Sequence, residues 1–177
     1  MRVSPIVVTI LLSVCASQTV SNKPPEPDSI GVLFYLDSTT QTLKRLPIED
    51  YKKHRGTGWA KVTDNVKVQG TASSFRIPDD KPAFVFKVFK DEEAGGVLLF
   101  RFDVKGKDRE YELGKWKRRD FTPNRGLPVD VAKFGDSSYR LVPNTPLEPG
   151  EYALTYGQAA NEGISRLFTF AVSTSAR

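Results

Sequence analysis

The chain has 177 residues, 26 Lys and Arg against 21 Asp and Glu, a formal net charge of +5 and 39% hydrophobic residues. That length and balance predict one soluble domain and exclude a disordered tail or a membrane-embedded bundle. With one His and one Cys, the chain cannot build a Cys/His zinc site, a Cys-His dyad or an iron–sulfur cluster by itself, so neither metal nor cofactor is expected.

Residues 1–17, MRVSPIVVTILLSVCAS, open with Arg2 and run apolar over 6–14, broken only by Thr9 and Ser13. The run falls short of the about 20 residues a spanning helix needs. It matches the centre of a secretory signal peptide, with Ala16 and Ser17 as the small residues before cleavage. Leu12-Ser13-Val14-Cys15 offers a lesser alternative, a lipoprotein signal acylated at Cys15, against which Val14 is bulky. Cleavage after Cys15 leaves no cysteine, so the exported fold must rest on its hydrophobic core, as is common in a bacterial envelope. The sequence has no Asn-x-Ser/Thr sequon, which points the same way. No later stretch reaches membrane-spanning length, and the expected location is the periplasm or the exterior.

Residues 18–29 contain NKPPEPD, a proline-rich spacer, and the folded domain is expected over 30–177. Short alternating runs between Gly, Pro, Asp and Asn clusters then predict strands and turns. The runs are 30–36 (IGVLFYL), 59–69 with a break at Asp64-Asn65, 74–77, 83–90 (AFVFKVFK) and 97–104 (VLLFRFDV). Leu98, Phe100, Phe102 and Val104 are expected inward, and residues 91–96 (DEEAGG) are expected to join the two Phe-rich runs as a hairpin. Further strands are predicted at 109–116, 129–134, 139–143, 151–156 and 167–172, with a polar loop over 117–127. With 74–77 only a short piece, eight or nine strands of this kind indicate an all-β fold, a single antiparallel β-sandwich of immunoglobulin-like type. In Leu147-Glu148-Pro149-Gly150-Glu151-Tyr152 the Pro-Gly turn before Tyr152 matches a tyrosine corner, whose hydroxyl bonds to backbone a few residues upstream.

Gly31-Val32-Leu33-Phe34-Tyr35-Leu36-Asp37, with Leu46-Pro47 after it, resembles the opening of a group of uncharacterised bacterial exported proteins. Residues 134–141 (FGDSSYRL), running on through 146–154 (PLEPGEYAL), resemble their ending. The resemblance implies export and a β-rich fold, and it brings no activity, ligand or site residue.

His54 lies in Tyr51-Lys52-Lys53-His54-Arg55-Gly56, among cations that repel a metal; it is read as an exposed loop residue. No Gly-x-Ser-x-Gly, Walker A, Rossmann glycine or calcium-loop sequence occurs. Asp79-Asp80 and Asp91-Glu92-Glu93 are read as solvated turns. The remaining candidate is 105–125, KGKDREYELGKWKRRDFTPNR, with eight basic residues against four acids. Its net charge equals that of the whole chain after Arg2 leaves with the signal. Within it, Lys115, Trp116, Lys117, Arg118, Arg119, Phe121 and Arg125 form the candidate binding patch, where charge and stacking could hold an anionic envelope polymer or a protein partner. The competing reading is an edge strand whose cations prevent pairing with neighbours. Nucleic acid is not expected, because an exported protein rarely meets it and no recognition motif is present. The expectation is thus a non-enzymatic extracytoplasmic binding or structural module; the alternative is a hydrolase of an envelope polymer, which needs two convergent carboxylates or His54 with a base partner.

Overall fold

The computed structural model describes residues 25–57, 62–90, 92–156 and 166–173. The signal segment 1–17 and Cys15 lie outside the described residues, as does Asp91. Fourteen strands and no helix are found among the described residues. They are β1 (Leu33–Leu36), β2 (Leu43–Arg45), β3 (Tyr51–Thr57), β4 (Val62–Gln69), β5 (Arg76–Ile77), β6 (Ala83–Lys87), β7 (Val97–Arg101), β8 (Asp103–Lys105), β9 (Asp108–Lys117), β10 (Asp120–Pro123), β11 (Val129–Lys133), β12 (Ser138–Pro143), β13 (Gly150–Tyr156) and β14 (Phe168–Val172).

They form three sheets, ordered β11-β12-β6-β1-β2, β5-β14-β13-β7 and β10-β9-β4-β3, with β8 also paired to β9. Every strand pair is antiparallel except the short β5–β14 pair. The second sheet is central, and it carries a hydrophobic core on each face. On one face Ile77, Leu99, Tyr152, Leu154, Phe168, Phe170 and Val172 meet Leu33, Tyr35, Phe84, Phe86 and Leu141 of the first sheet. On the other, Phe100, Ala153 and the neighbouring Phe102 and Leu167 meet Val66, Val68 and Tyr111 of the third.

Period-two alternation explains the division. Along β7, Leu99 turns to the first sheet while Phe100 turns to the third, so both are fully buried. All five residues of β14 are buried for the same reason. The aromatic rings interlock at each interface: Phe84 lies 4.9 Å from Phe170, and Phe100 stacks on Tyr111 at 4.0 Å.

The tyrosine corner forms as expected: the Tyr152 hydroxyl donates to the Glu148 carbonyl at 2.7 Å. The irregularity in β4 is also found, as a register shift against β9 between Asp64 and Asn65. Other expectations need correction. Residues 83–90 and 97–104 do not form a hairpin: β6 pairs with β1 and β12 in the first sheet, while β7 pairs with β13 in the central one. Val104, expected inward, is 52% exposed, because the chain leaves the central sheet after Arg101 and β8 joins β9 at the margin of the third. His54 sits on strand β3 rather than in a loop. The described end of the spacer lies against the domain: Pro27 is buried and the Glu26 carboxylate accepts from the Asp136 amide at 3.3 Å.

One charged residue crosses the interface between the central and third sheets. Arg109 of β9 is 1% exposed. Its Nε donates to the Gly70 carbonyl at 3.0 Å, its Nη2 donates to Glu49 Oε2, and its Nη1 stands 3.7 Å from Glu151 Oε2. The guanidinium also lies over the Phe102 ring at 5.5 Å. Both carboxylates have further partners. Glu49 Oε1 accepts from the Thr169 hydroxyl at 2.5 Å, and Glu151 Oε2 accepts from the Ser73 amide at 2.6 Å.

Breaking such a buried group by removing one member leaves the others charged and unpaired, at about 3–5 kcal/mol. Arg109→Met is expected to lose stability in that range by urea denaturation at neutral pH. Adding Glu49→Gln and Glu151→Gln is expected to recover part of the loss, and no recovery would assign the defect to packing instead.

Candidate functional site

The candidate patch lies on the β9–β10 hairpin at the end of the third sheet. Lys117 pairs with Asp120, Trp116 with Phe121, Lys115 with Thr122 and Gly114 with Pro123, leaving Arg118 and Arg119 as the two turn residues. Arg118 has φ +59°, whereas Arg119 stays in the ordinary negative range. Positive φ at the first central position alone is the pattern of a type II′ turn, where glycine is the usual occupant. An arginine there carries about 1 kcal/mol of backbone strain.

Where β9 passes β4, Glu112 faces Asn65 and Gly114 faces Asp64, so Leu113 is skipped as the extra residue of a bulge. Gly114 is required in this arrangement. A Cβ on it would stand 2.5 Å from both the Phe121 ring and the Thr122 carbonyl oxygen.

The charges along 105–125 are unequally compensated. Lys67 of β4 binds Asp108 at 2.7 Å and Glu110 at 3.4 Å, Lys105 approaches Glu110 at 3.6 Å, and Lys115 approaches Glu112 at 3.6 Å. Arg109, counted with the exposed cations in sequence, is buried. Lys117, Arg118, Arg119 and Arg125 are exposed, and no ion pair joins any of them to an acid among the described residues. The first three share the hairpin tip. Arg125 is separated from them, in the turn at the foot of β10 where the Asn124 amide donates to the Leu113 carbonyl and the Leu127 amide to the Leu99 carbonyl, each at 2.7 Å.

Trp116 is half-buried, and its surroundings are occupied. Its indole N–H donates to Asp64 Oδ2 at 2.7 Å, the Arg55 guanidinium lies over its ring at 5.1 Å, and the Phe121 ring is tilted against it at 5.0 Å. Arg55 Nε in turn donates to Asp64 Oδ1 at 2.9 Å. Four strands are thereby linked through one carboxylate and one indole. Trp116 fixes the hairpin to β4 and β3, and Phe121, 36% exposed, is the aromatic surface left open beside the cations. Arg55 and Asp64 were not among the sequence candidates. The signal that could have found them is the pairing of β3, β4 and β9, which sets Arg55 opposite Asp64 and Val62 opposite Trp116.

The other sequence candidates are dispersed. His54 is exposed on β3 opposite Asn65. Asp79 accepts the Tyr35 hydroxyl at 2.6 Å and the Ser38 hydroxyl at 3.2 Å, so it anchors a turn rather than facing only water. Among the described residues, no three His, Cys, Asp or Glu side chains converge as a metal site. A shallow depression of about 440 Å³ is lined by Arg101, Phe102, Asp103, Val104, Lys105, Gly150 and Glu151, and no member of the candidate patch borders it.

Arg55, with the Trp116 N–H beside it, holds the Asp64 carboxyl below its ordinary range, outweighing its partial burial. A carboxyl lowered in the folded state contributes stability that is complete above its unfolded value. That contribution is lost as pH falls through the folded value. The amides joining β9 to β10 are therefore expected to lose protection as pH drops below the ordinary carboxylate range, read by hydrogen exchange corrected for intrinsic rates. Asp64→Asn should flatten that dependence; an unchanged dependence would place its source elsewhere. Compared with protein-family models, with curated proteins and with solved structures, the chain matches none.

Proposed function

We propose that the protein is a non-enzymatic extracytoplasmic module that binds an anionic polymer of a bacterial envelope through the β9–β10 hairpin. The observation that carries this reading is the tip itself, where Lys117, Arg118 and Arg119 project together without ion pairs among the described residues. Three adjacent cations on a turn attract a repeating anion by charge and keep contact as it slides, while a rigid base avoids the cost of ordering a loop on binding. The Arg55–Asp64–Trp116 cluster supplies that base. Phe121 adds apolar surface for the ring face of a sugar. Export rests on residues 1–17 and on the likeness to exported bacterial proteins, and kinship with immunoglobulin-like sandwiches rests on the Tyr152 corner.

The hydrolase alternative is less well supported. Two carboxylates do converge, Glu49 and Glu151, but both face Arg109 and are engaged by Thr169 and Ser73. A catalytic acid or base needs a carboxyl free to exchange its proton, whereas these two are held as counter-ions of one buried guanidinium, although Glu151 also borders the shallow depression.

Replacing Lys117, Arg118 and Arg119 together by Ser is expected to reduce retention on lipopolysaccharide or cell-wall material and to flatten its salt dependence. Unchanged retention at low salt would overturn the proposal. Arg118→Gly is the control for strain: it should raise stability by about 0.5–1 kcal/mol in thermal unfolding while removing only one of the three charges.

A further inference from the structure

We propose that the open edge of β3 accepts an extended acidic segment of a partner protein as an added strand of the third sheet. β3 pairs with β4 along all seven of its residues, and no strand among the described residues pairs with its other side. Seven residues give an edge of about 23 Å, along which alternate backbone N–H and C=O groups point away from β4. Such a row is a template for a further strand.

The side chains select which strand. Lys52, Lys53, His54 and Arg55 are consecutive and exposed, so alternation puts basic groups on both faces of the edge. Arg55 is committed to Asp64. Lys52 faces Lys67, whose ammonium is taken by Asp108 and Glu110, so Lys52 gains no counter-charge there. Lys53 and Lys52 have no ion pair among the described residues. A second copy of the chain added at this edge would bring its own Lys-Lys-His-Arg run against this one, an arrangement like charges disfavour. An acidic strand meets a cation on either face and completes the backbone ladder.

The remaining edges lack this combination. β2, β5 and β8 have three residues or fewer, β10 ends in Pro123, β7 is bridged by Leu127, and β11 mixes Asp130 with Lys133. The site is separate from the hairpin tip and does not depend on it.

The test uses the intact protein and a seven-residue Glu/Thr/Val peptide with blocked ends, followed by amide chemical shifts and hydrogen exchange. The acidic peptide is expected to bind and to slow exchange at alternate amides of β3. The same peptide with alternate amides N-methylated keeps its charge but loses several ladder hydrogen bonds, and should bind about tenfold more weakly or worse. Lys52→Glu/Lys53→Glu, checked for folding by circular dichroism, should weaken the unmodified peptide comparably. Absence of binding, equal binding of the methylated peptide, or protection confined to Lys117, Arg118 and Arg119 would each overturn the proposal. The last outcome would leave the hairpin reading standing, and failure of that reading on envelope polymers would leave this one untouched.

Discussion

On a sheet covered on both faces every buried polar side chain costs free energy unless it finds a partner, and the central sheet is under that constraint along β13 and β14. Every residue of β14 and the five inner residues of β13 are buried. Leu and Phe satisfy the constraint toward the first sheet, where volume is needed. Toward the third sheet Ala153, Thr155, Thr169 and Ala171 are small, and Val66, Val68 and Tyr111 of that sheet pack against Phe100 and Ala153. Several polar members at this interface are joined: Thr169 bonds Ser73 and Glu49, and Glu151 bonds Ser73 and faces Arg109, whereas the Thr155 hydroxyl is buried with no hydrogen-bond partner among the described residues. Arg109 is therefore the point at which three segments distant in sequence agree on one geometry.

How much of this was legible in the sequence follows from what is local. Most strands were visible, since alternation and turn residues act within a few positions. The tyrosine corner was visible too, because its donor and acceptor are four residues apart. Layering was not. Phe168, Phe170 and Val172 alternate with Thr169 and Ala171, which looks like a strand with one wet face; only the third sheet makes that face dry. The expected β6–β7 hairpin failed because adjacency in the chain is weak evidence of pairing when two other strands, β1 and β12, fit the same edges of β6.

The candidate site was legible as charge and illegible as geometry. In the run from Lys105 to Arg125 nothing in residue type separates Arg109 from Lys107, yet one is sealed and the other exposed. Its place does: Arg109 shares an alternate face with Tyr111, which is also buried. Likewise Trp116 stands in sequence among cations as a stacking platform, whereas the folded chain engages its N–H and one ring face with Asp64 and Arg55. The third sheet thus sorts its charges. Acids of β9 are matched by lysines on the outer face of the sheet, and unmatched cations collect at the hairpin tip and along β3, leaving two basic rims on one layer.

The parallel pairing of β14 with β5 bears on how the molecule assembles. β14 joins β13 on one side and β5 on the other, with further backbone bonds from Thr169 to Pro47 and from Ala171 to Phe75. The strand that completes the middle layer is thus the last strand of the described chain. Without it β5 has no partner strand, and the core against the first sheet lacks Phe168, Phe170 and Val172. Loop closures of such span are slow compared with hairpin formation, and the middle layer depends on a contact between residues 76–77 and 171–172 that no local hairpin supplies.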